Sequence, residues 1–144
     1  RSEPPKWADG TEEAGPWVRE ARTFGLETIF LLAPTSPPER VRLISRYSRG
    51  FIYYVSVTGV TGTREKLPEE LEPTIRRIKE ETRVPVAVGF GISTPEQAKS
   101  VSRFADGVIV GSAIVRIIEE NLKNPEMIDR VGDFVSSLAK ALKS

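Results

Sequence analysis

Neither histidine nor cysteine occurs anywhere in the 144 residues. Without histidine there is no imidazole to serve as a general base near neutral pH or as a metal ligand, and Ser–His and Cys–His nucleophile pairs are excluded. Without cysteine there is no disulfide framework and no thiolate metal site, a usage that fits the cytoplasm. No apolar run approaches the ~18 residues of a membrane span, so no membrane partner is expected. The first ten residues, RSEPPKWADG, hold no signal-peptide core. They also lack an initiator Met, so the chain reads as a processed, trimmed or engineered piece. Charge of one sign is missing too: 21 Lys and Arg stand against 20 Asp and Glu, a net charge of +1. The basic residues alternate with glutamates rather than massing, which leaves no footprint for nucleic acid.

What is present is a regular alternation of strand and helix patterns. Apolar, β-forming runs lie near residues 28–33 (TIFLLA), 51–57 (FIYYVSV), 84–88 (VPVAV) and 107–110 (GVIV). Between them fall helical patterns. One is capped at Ser36, enters through Pro37-Pro38 and runs to about Arg49; a second opens at Pro68 and runs to about Thr82. A third is capped by Thr94 with Pro95 in the first helical position. Two more follow, from about Ala113 to Leu122 and from about Pro125 to Leu142. Runs that are apolar on both faces belong to a parallel sheet covered by helices, so the fold class is α/β. The length suits a single domain over residues 11–144 but falls short of the ~250 residues of a complete (β/α)8 barrel. Four such strands can form half of that barrel, paired with a missing half or with a second copy. An open, flavodoxin-like sheet is the alternative.

The third and fourth strands run straight into small residues, Gly89-Phe90-Gly91 and Gly111-Ser112-Ala113. Glycines at the ends of consecutive parallel strands let backbone N–H groups approach an anion, and a helix starting after Gly111 adds partial positive charge. In (β/α)8 barrels, paired loops after the last strands grip phosphate this way. The same glycines would equally serve turns that need positive φ. Loop residues TGVTGTREK, between the second strand and its helix, read as functional for their Gly and Thr content, with Arg64, Glu65 and Lys66 as a solvated tip. Tyr53 and Tyr54 face opposite ways, one toward the helices and the other toward the interior. Trp17 is expected to anchor the core, and Trp7 to cover a sheet edge.

Four segments carry a family resemblance: APTSPPERV (33–41), YYVSVTGVTG (53–62), VAVGFGIS (86–93) and ADGVIVGSAIV (105–115). Together they resemble the C-terminal half of the tryptophan synthase α subunit, and TEEAGPWVREARTFG resembles the helix that precedes that half. ADGVIVGSAIV is shared with several phosphate-binding barrels; VSVTGVTG followed by GFGIS is narrower. Residues 1–10 match nothing in the family. The resemblance implies a (β/α)8 barrel enzyme, a lyase of tryptophan biosynthesis that cleaves indole-3-glycerol phosphate to indole and glyceraldehyde 3-phosphate by retro-aldol chemistry. It implies no cofactor and no metal, and a β subunit as partner of the full enzyme. By the same carry-over, Gly62, Gly89, Gly91, Gly111 and Ser112 would bind the substrate phosphate, with Phe90 close by. Tyr53 and Ile109 would line the pocket for the organic part, and Thr61 would sit on a loop that closes over the site. Val57 departs from the Arg often found there, which puts any contact from that position in doubt.

The family's catalytic glutamate and aspartate come from a part of the barrel that this chain does not contain, so no catalytic residue is assigned. A direct inventory agrees: the C-terminal strand ends offer Pro34, Thr35, Ser36, Ser56, Thr58, Gly89, Ser93 and Ser112, none a carboxylate. The four aspartates, Asp9, Asp106, Asp129 and Asp133, lie elsewhere along the chain. Cleavage needs both an acid and a base within reach of the substrate. The expectation is therefore a phosphate-holding half that is inactive alone, or a catalytically silent half-barrel with residual phosphate binding. A half-barrel also leaves apolar side chains and sheet edges uncovered, so self-association or cover by the N-terminal segment is expected.

Overall fold

The computed structural model describes residues 10–56 and 67–143, with side chains from residue 14. Ten elements follow one another: α1 (Gly10–Thr23), β1 (Leu31–Leu32), α2 (Pro38–Tyr47), β2 (Ile52–Val55), α3 (Leu71–Glu81), β3 (Val86–Gly89), α4 (Pro95–Ser102), β4 (Gly107–Ile109), α5 (Ser112–Glu120) and α6 (Met127–Lys143). The four strands form one parallel sheet in the order β1-β2-β3-β4. Strict sequential order is that of a (β/α)8 segment and removes the flavodoxin-like alternative, whose strand order doubles back.

Register sorts the strand residues onto two faces. Leu32, Tyr54, Val88 and Val108 lie at one level and Leu31, Tyr53, Ala87 and Gly107 at the next. The first set, with Ile52 and Val86, faces the helices and joins Val41, Ile44, Leu71, Ile75, Ile78, Ala98, Val101 and Leu138 in one apolar core. The other face is open: Leu31 is 58 % exposed, while its neighbour Leu32 is 1 % exposed. Tyr53, Val55 and Ile109 on that face are half-buried.

The strands are shorter than their apolar runs. Over 28–33 the strand proper is Leu31–Leu32; the Phe30 C=O still accepts from Tyr53 N–H at 3.0 Å, while Thr28 is bonded to the α2–β2 corner. Its C=O accepts from Arg49 N–H at 3.0 Å, and its hydroxyl donates to the Tyr47 C=O at 3.1 Å. Two helix starts also differ. The N-cap of α2 is Pro37, not Ser36, since the Ser36 hydroxyl turns back to accept from Ala33 N–H at 3.2 Å. Helix α3 begins at Leu71, after a turn in which Leu71 N–H donates to the Pro68 C=O at 3.0 Å. Trp17 is 64 % exposed and anchors nothing. The buried stripe of α1 is Val18 and Ala21, and Trp17 stands about 100° round the helix from Val18. Trp7 lies outside the described residues.

At the N-terminal end of the sheet, Asp106 holds three elements together. Its carboxylate accepts from Lys79 Nζ of α3 at 2.6 Å and from Val86 N–H of β3 at 2.9 Å. Its own N–H donates to the Val86 C=O at 2.9 Å. Burial pushes the Asp106 carboxyl upward, but the bonds from Lys79 and Val86 and the Lys79 charge outweigh it and hold it below the ordinary value.

Candidate functional site

The C-terminal ends of β2, β3 and β4 meet at one level, where Val55, Gly89 and Ile109 are registered side by side. Ser56 N–H continues the pairing to the Gly89 C=O at 3.3 Å. From this level the chain leaves the sheet into the two glycine-bearing ends, Phe90-Gly91 and Val110-Gly111. The geometry gives the three glycines different reasons. A Cβ on Gly89 would run into Tyr53 Cε2 and stand 2.6 Å from its hydroxyl, so the tyrosine ring occupies the space a side chain would need. Gly91 has φ +39, with nothing within 4 Å of an added Cβ; it alone of the three needs a left-handed backbone. Gly111 has φ −120 and also opens onto free space. The bland reading, in which all three serve positive φ, therefore holds for Gly91 only.

Gly111 is the N-cap of α5. The first bonds of that helix run from Ile114 and Val115 N–H to the Gly111 C=O, at 3.0 and 3.1 Å. The N–H groups of a helix's first turn have no partner within the helix, and here they belong to Ser112 and Ala113 at the open strand end. Gly111 and Ser112 are exposed. A helix start of this kind, beside two glycine-bearing ends, can hold an anion.

The β3–α4 connection is fastened differently. Thr94 caps α4, its hydroxyl accepting from Gln97 N–H at 3.2 Å, and Pro95 opens the helix as expected from the sequence. The Gln97 side chain returns the bond to Thr94 N–H and completes a capping box. Ile92, 2 % exposed, is sunk in the core. The ring of half-buried Phe90 also packs against the core, so at that position the backbone is what faces the strand end.

Tyr53 and Tyr54 face opposite sides as expected. Tyr54 is 2 % exposed on the helix side; burial pushes its phenol up, opposed by the Arg77 charge and a hydrogen bond with Thr74. Tyr53 lies on the open face over Gly89. Beside it a cleft of about 450 Å³ runs along the end of β1, lined among others by Leu31, Ala33, Thr35, Ser36, Arg40 and Val55. Val55, registered beside Gly89, lies in the wall of that cleft, whereas Gly89, Gly91, Gly111 and Ser112 do not line it. Thr61 and Gly62, with Val57, Thr58 and the Arg64–Lys66 tip, lie outside the described residues. Among the described strand ends there is no carboxylate, and among the described residues no three metal-ligating side chains gather. No helix among them is long and apolar enough to cross a membrane.

The sequence profile of the family described as "Tryptophan synthase alpha chain" matches residues 10–143. The chain belongs to the tryptophan synthase alpha chain family. Curated relatives include the tryptophan synthase alpha chain of Geotalea uraniireducens, 46% identical over 133 residues, covering 92% of this chain and 49% of the relative. That of Geobacter sulfurreducens is 49% identical over 131 residues, covering 91% and 49%. The chain thus spans about half the length of the curated relatives it matches. Among solved structures, the tryptophan synthase alpha chain of Legionella pneumophila superposes with a TM-score of 0.79 at 38% identity, covering 92% of this chain and 48% of that one. A structure of the tryptophan synthase a2b2 complex of Pyrococcus furiosus gives 0.78 at 40% identity, covering 90% and 52%. The four parallel strands with their helices are therefore half of the barrel of tryptophan synthase alpha chains.

Two features of the site are absent from the sequence expectations. That Tyr53 rests on Gly89 depends on cross-strand register. The several bonds accepted by Gln97 were signalled only by the Thr-x-x-Gln spacing of a capping box.

Proposed function

We propose that this chain is the C-terminal, phosphate-holding half of a tryptophan synthase α-type barrel, acting on indole-3-glycerol phosphate once the barrel is complete. The observation that carries the reading is the meeting of three strand ends at one level, followed by Gly91 in a left-handed turn and by Gly111 at the open start of α5. Backbone N–H groups around Gly89–Gly91 and at Gly111 and Ser112, with the Ser112 hydroxyl, supply donors to the phosphate. On the family resemblance, Gly62 adds to the grip and Thr61 belongs to the loop that closes over the site. Tyr53 and Ile109 border the space for the indole and glycerol parts.

Retro-aldol cleavage moves protons, and the described strand ends offer no carboxylate to move them. On this reading the acid and base belong to the other half of the barrel, so residues 10–143 bind without cleaving. Assembly with a β subunit follows for the completed barrel, supported by the relative solved as an a2b2 complex.

An amide NMR titration with glycerol 3-phosphate tests the grip. Saturable shifts at Gly62, Gly89, Gly91, Gly111 and Ser112 are expected, and a dispersed spectrum that does not respond would sink the reading. Adding the N-terminal half of a relative as a separate polypeptide tests the division of labour. Indole formation is expected only in the mixture. Phosphate binding without activity in a mixture that does assemble would favour the second reading, a catalytically silent half-barrel.

A further inference from the structure

We propose that Gln97 is a positioning residue for the candidate phosphate site, fixing the β3–α4 turn before any anion arrives; the inference rests on the phosphate reading of that turn. Gln97 is a polar side chain only 6 % exposed in the first turn of α4. Its Oε1 accepts from Ser93 N–H at 2.8 Å, from the Ser93 hydroxyl at 3.3 Å and from Thr94 N–H at 3.3 Å. A capping box needs only the last of these. The two bonds to Ser93 reach beyond the helix into the turn that carries Gly89, Phe90 and Gly91.

That turn is also held by the Phe90 ring packing against the core and by the Ser56 N–H bond to the Gly89 C=O. Gly91 sits at φ +39 with no atom within 4 Å of an added Cβ, so no side chain of its own packs there. Burial of Ile92 pins the turn at one point, and Gln97 pins the next residue. Backbone donors hold an anion well when they are fixed in advance, because ordering them on binding subtracts from affinity. An amide oxygen suits this place because it accepts several N–H and O–H bonds without bringing formal charge beside an anion site.

Two variants separate positioning from packing. Gln97→Met keeps the volume and removes the acceptor; Gln97→Glu keeps an acceptor oxygen, and capping boxes accept either residue. Hydrogen exchange at Ser93 and Thr94, thermal melting and the Kd for glycerol 3-phosphate would be read on the full chain. Gln97→Met is expected to lose protection at both amides and to bind roughly tenfold more weakly. Gln97→Glu is expected to restore the protection at both amides while binding less tightly than wild type, because its carboxylate brings formal charge beside the anion site. Wild-type affinity in Gln97→Met, with protection at Ser93 lost, would overturn the positioning role and leave the site reading standing. Failure of the wild-type chain itself to bind would overturn both.

A further measurement needs no variant. In the free wild-type chain the Ser93 amide is expected to exchange slowly already, and saturating glycerol 3-phosphate to change its protection less than roughly threefold. A large ligand-induced gain would mean that the anion, rather than Gln97, orders the turn, and would overturn the inference.

Discussion

Gly89, Gly91 and Gly111 look alike in the sequence and behave as three different residues. Gly89 makes room for the ring of Tyr53. Gly89→Ala is therefore expected to push the ring aside and to destabilise the chain by about 1–2 kcal/mol, the usual scale of overpacking. Adding Tyr53→Ala removes the obstruction, so a double-mutant cycle by chemical denaturation should show the two changes strongly non-additive; simple additivity would mean the ring is not the obstacle. Gly111 is the opposite case. Nothing lies within 4 Å of its added Cβ and its φ is −120, so Gly111→Val should change stability by less than about 1 kcal/mol. The same side chain would project into the space assigned to the phosphate, and glycerol 3-phosphate affinity should fall at least roughly tenfold. Unchanged affinity in a folded variant would remove Gly111 from the site. The glycine positions were legible in the sequence because strand patterns lead straight into them. Their separate reasons were not, since Tyr53 reaches Gly89 across a register that no local pattern encodes.

Helix α4 was the most legible element, because Thr94 and Pro95 each supply part of its start through local chemistry. Thr94→Ala should cost about 0.5–2 kcal/mol, read by thermal or chemical unfolding. Elements whose limits depend on partners were misjudged: Thr28 is drawn off to the α2–β2 corner, and Ser36 turns back to Ala33 instead of capping α2. Trp17 shows the same limit, since an apolar residue in a helix reveals its face only once neighbouring elements are placed. The Asp106 clamp likewise joins α3, β3 and β4 through residues far apart in sequence. Its folded-state pKa lies below the ordinary carboxylate value, so the stability it contributes is fully present above the unfolded pKa of about 3.9 and is lost as pH falls through the folded pKa. Asp106→Asn should lower the melting temperature modestly at neutral pH, because the Asp106 and Lys79 side chains are each 37% exposed and solvent screens the pair. The gap between variant and wild type should close as pH drops below about 4. A gap that persists or widens in acid would assign the stabilisation to something other than the carboxylate.

At the scale of the whole molecule the sheet has two unequal faces, and neighbouring residues report them. Leu32, 1 % exposed, is packed under the helices, while Leu31, 58 % exposed, stands on the side that a complete barrel encloses. In the isolated chain Leu32→Ala should cost about 2–5 kcal/mol. Leu31→Ala should cost less than about 1 kcal/mol, since most of its surface already meets water. Leu31 has value only to whatever covers that face. On the proposed reading the cover is the other half of the barrel, so Leu31→Ala should weaken assembly with a complementing N-terminal half while hardly altering the melting of the chain alone. Titration of a labelled N-terminal half into each variant reads this directly. Equal affinity for wild type and Leu31→Ala would mean that the open face is not where the two halves meet. A large loss of stability in Leu31→Ala alone would mean that the face is already covered, by a second copy or by the chain itself, and sedimentation velocity would then tell those two apart.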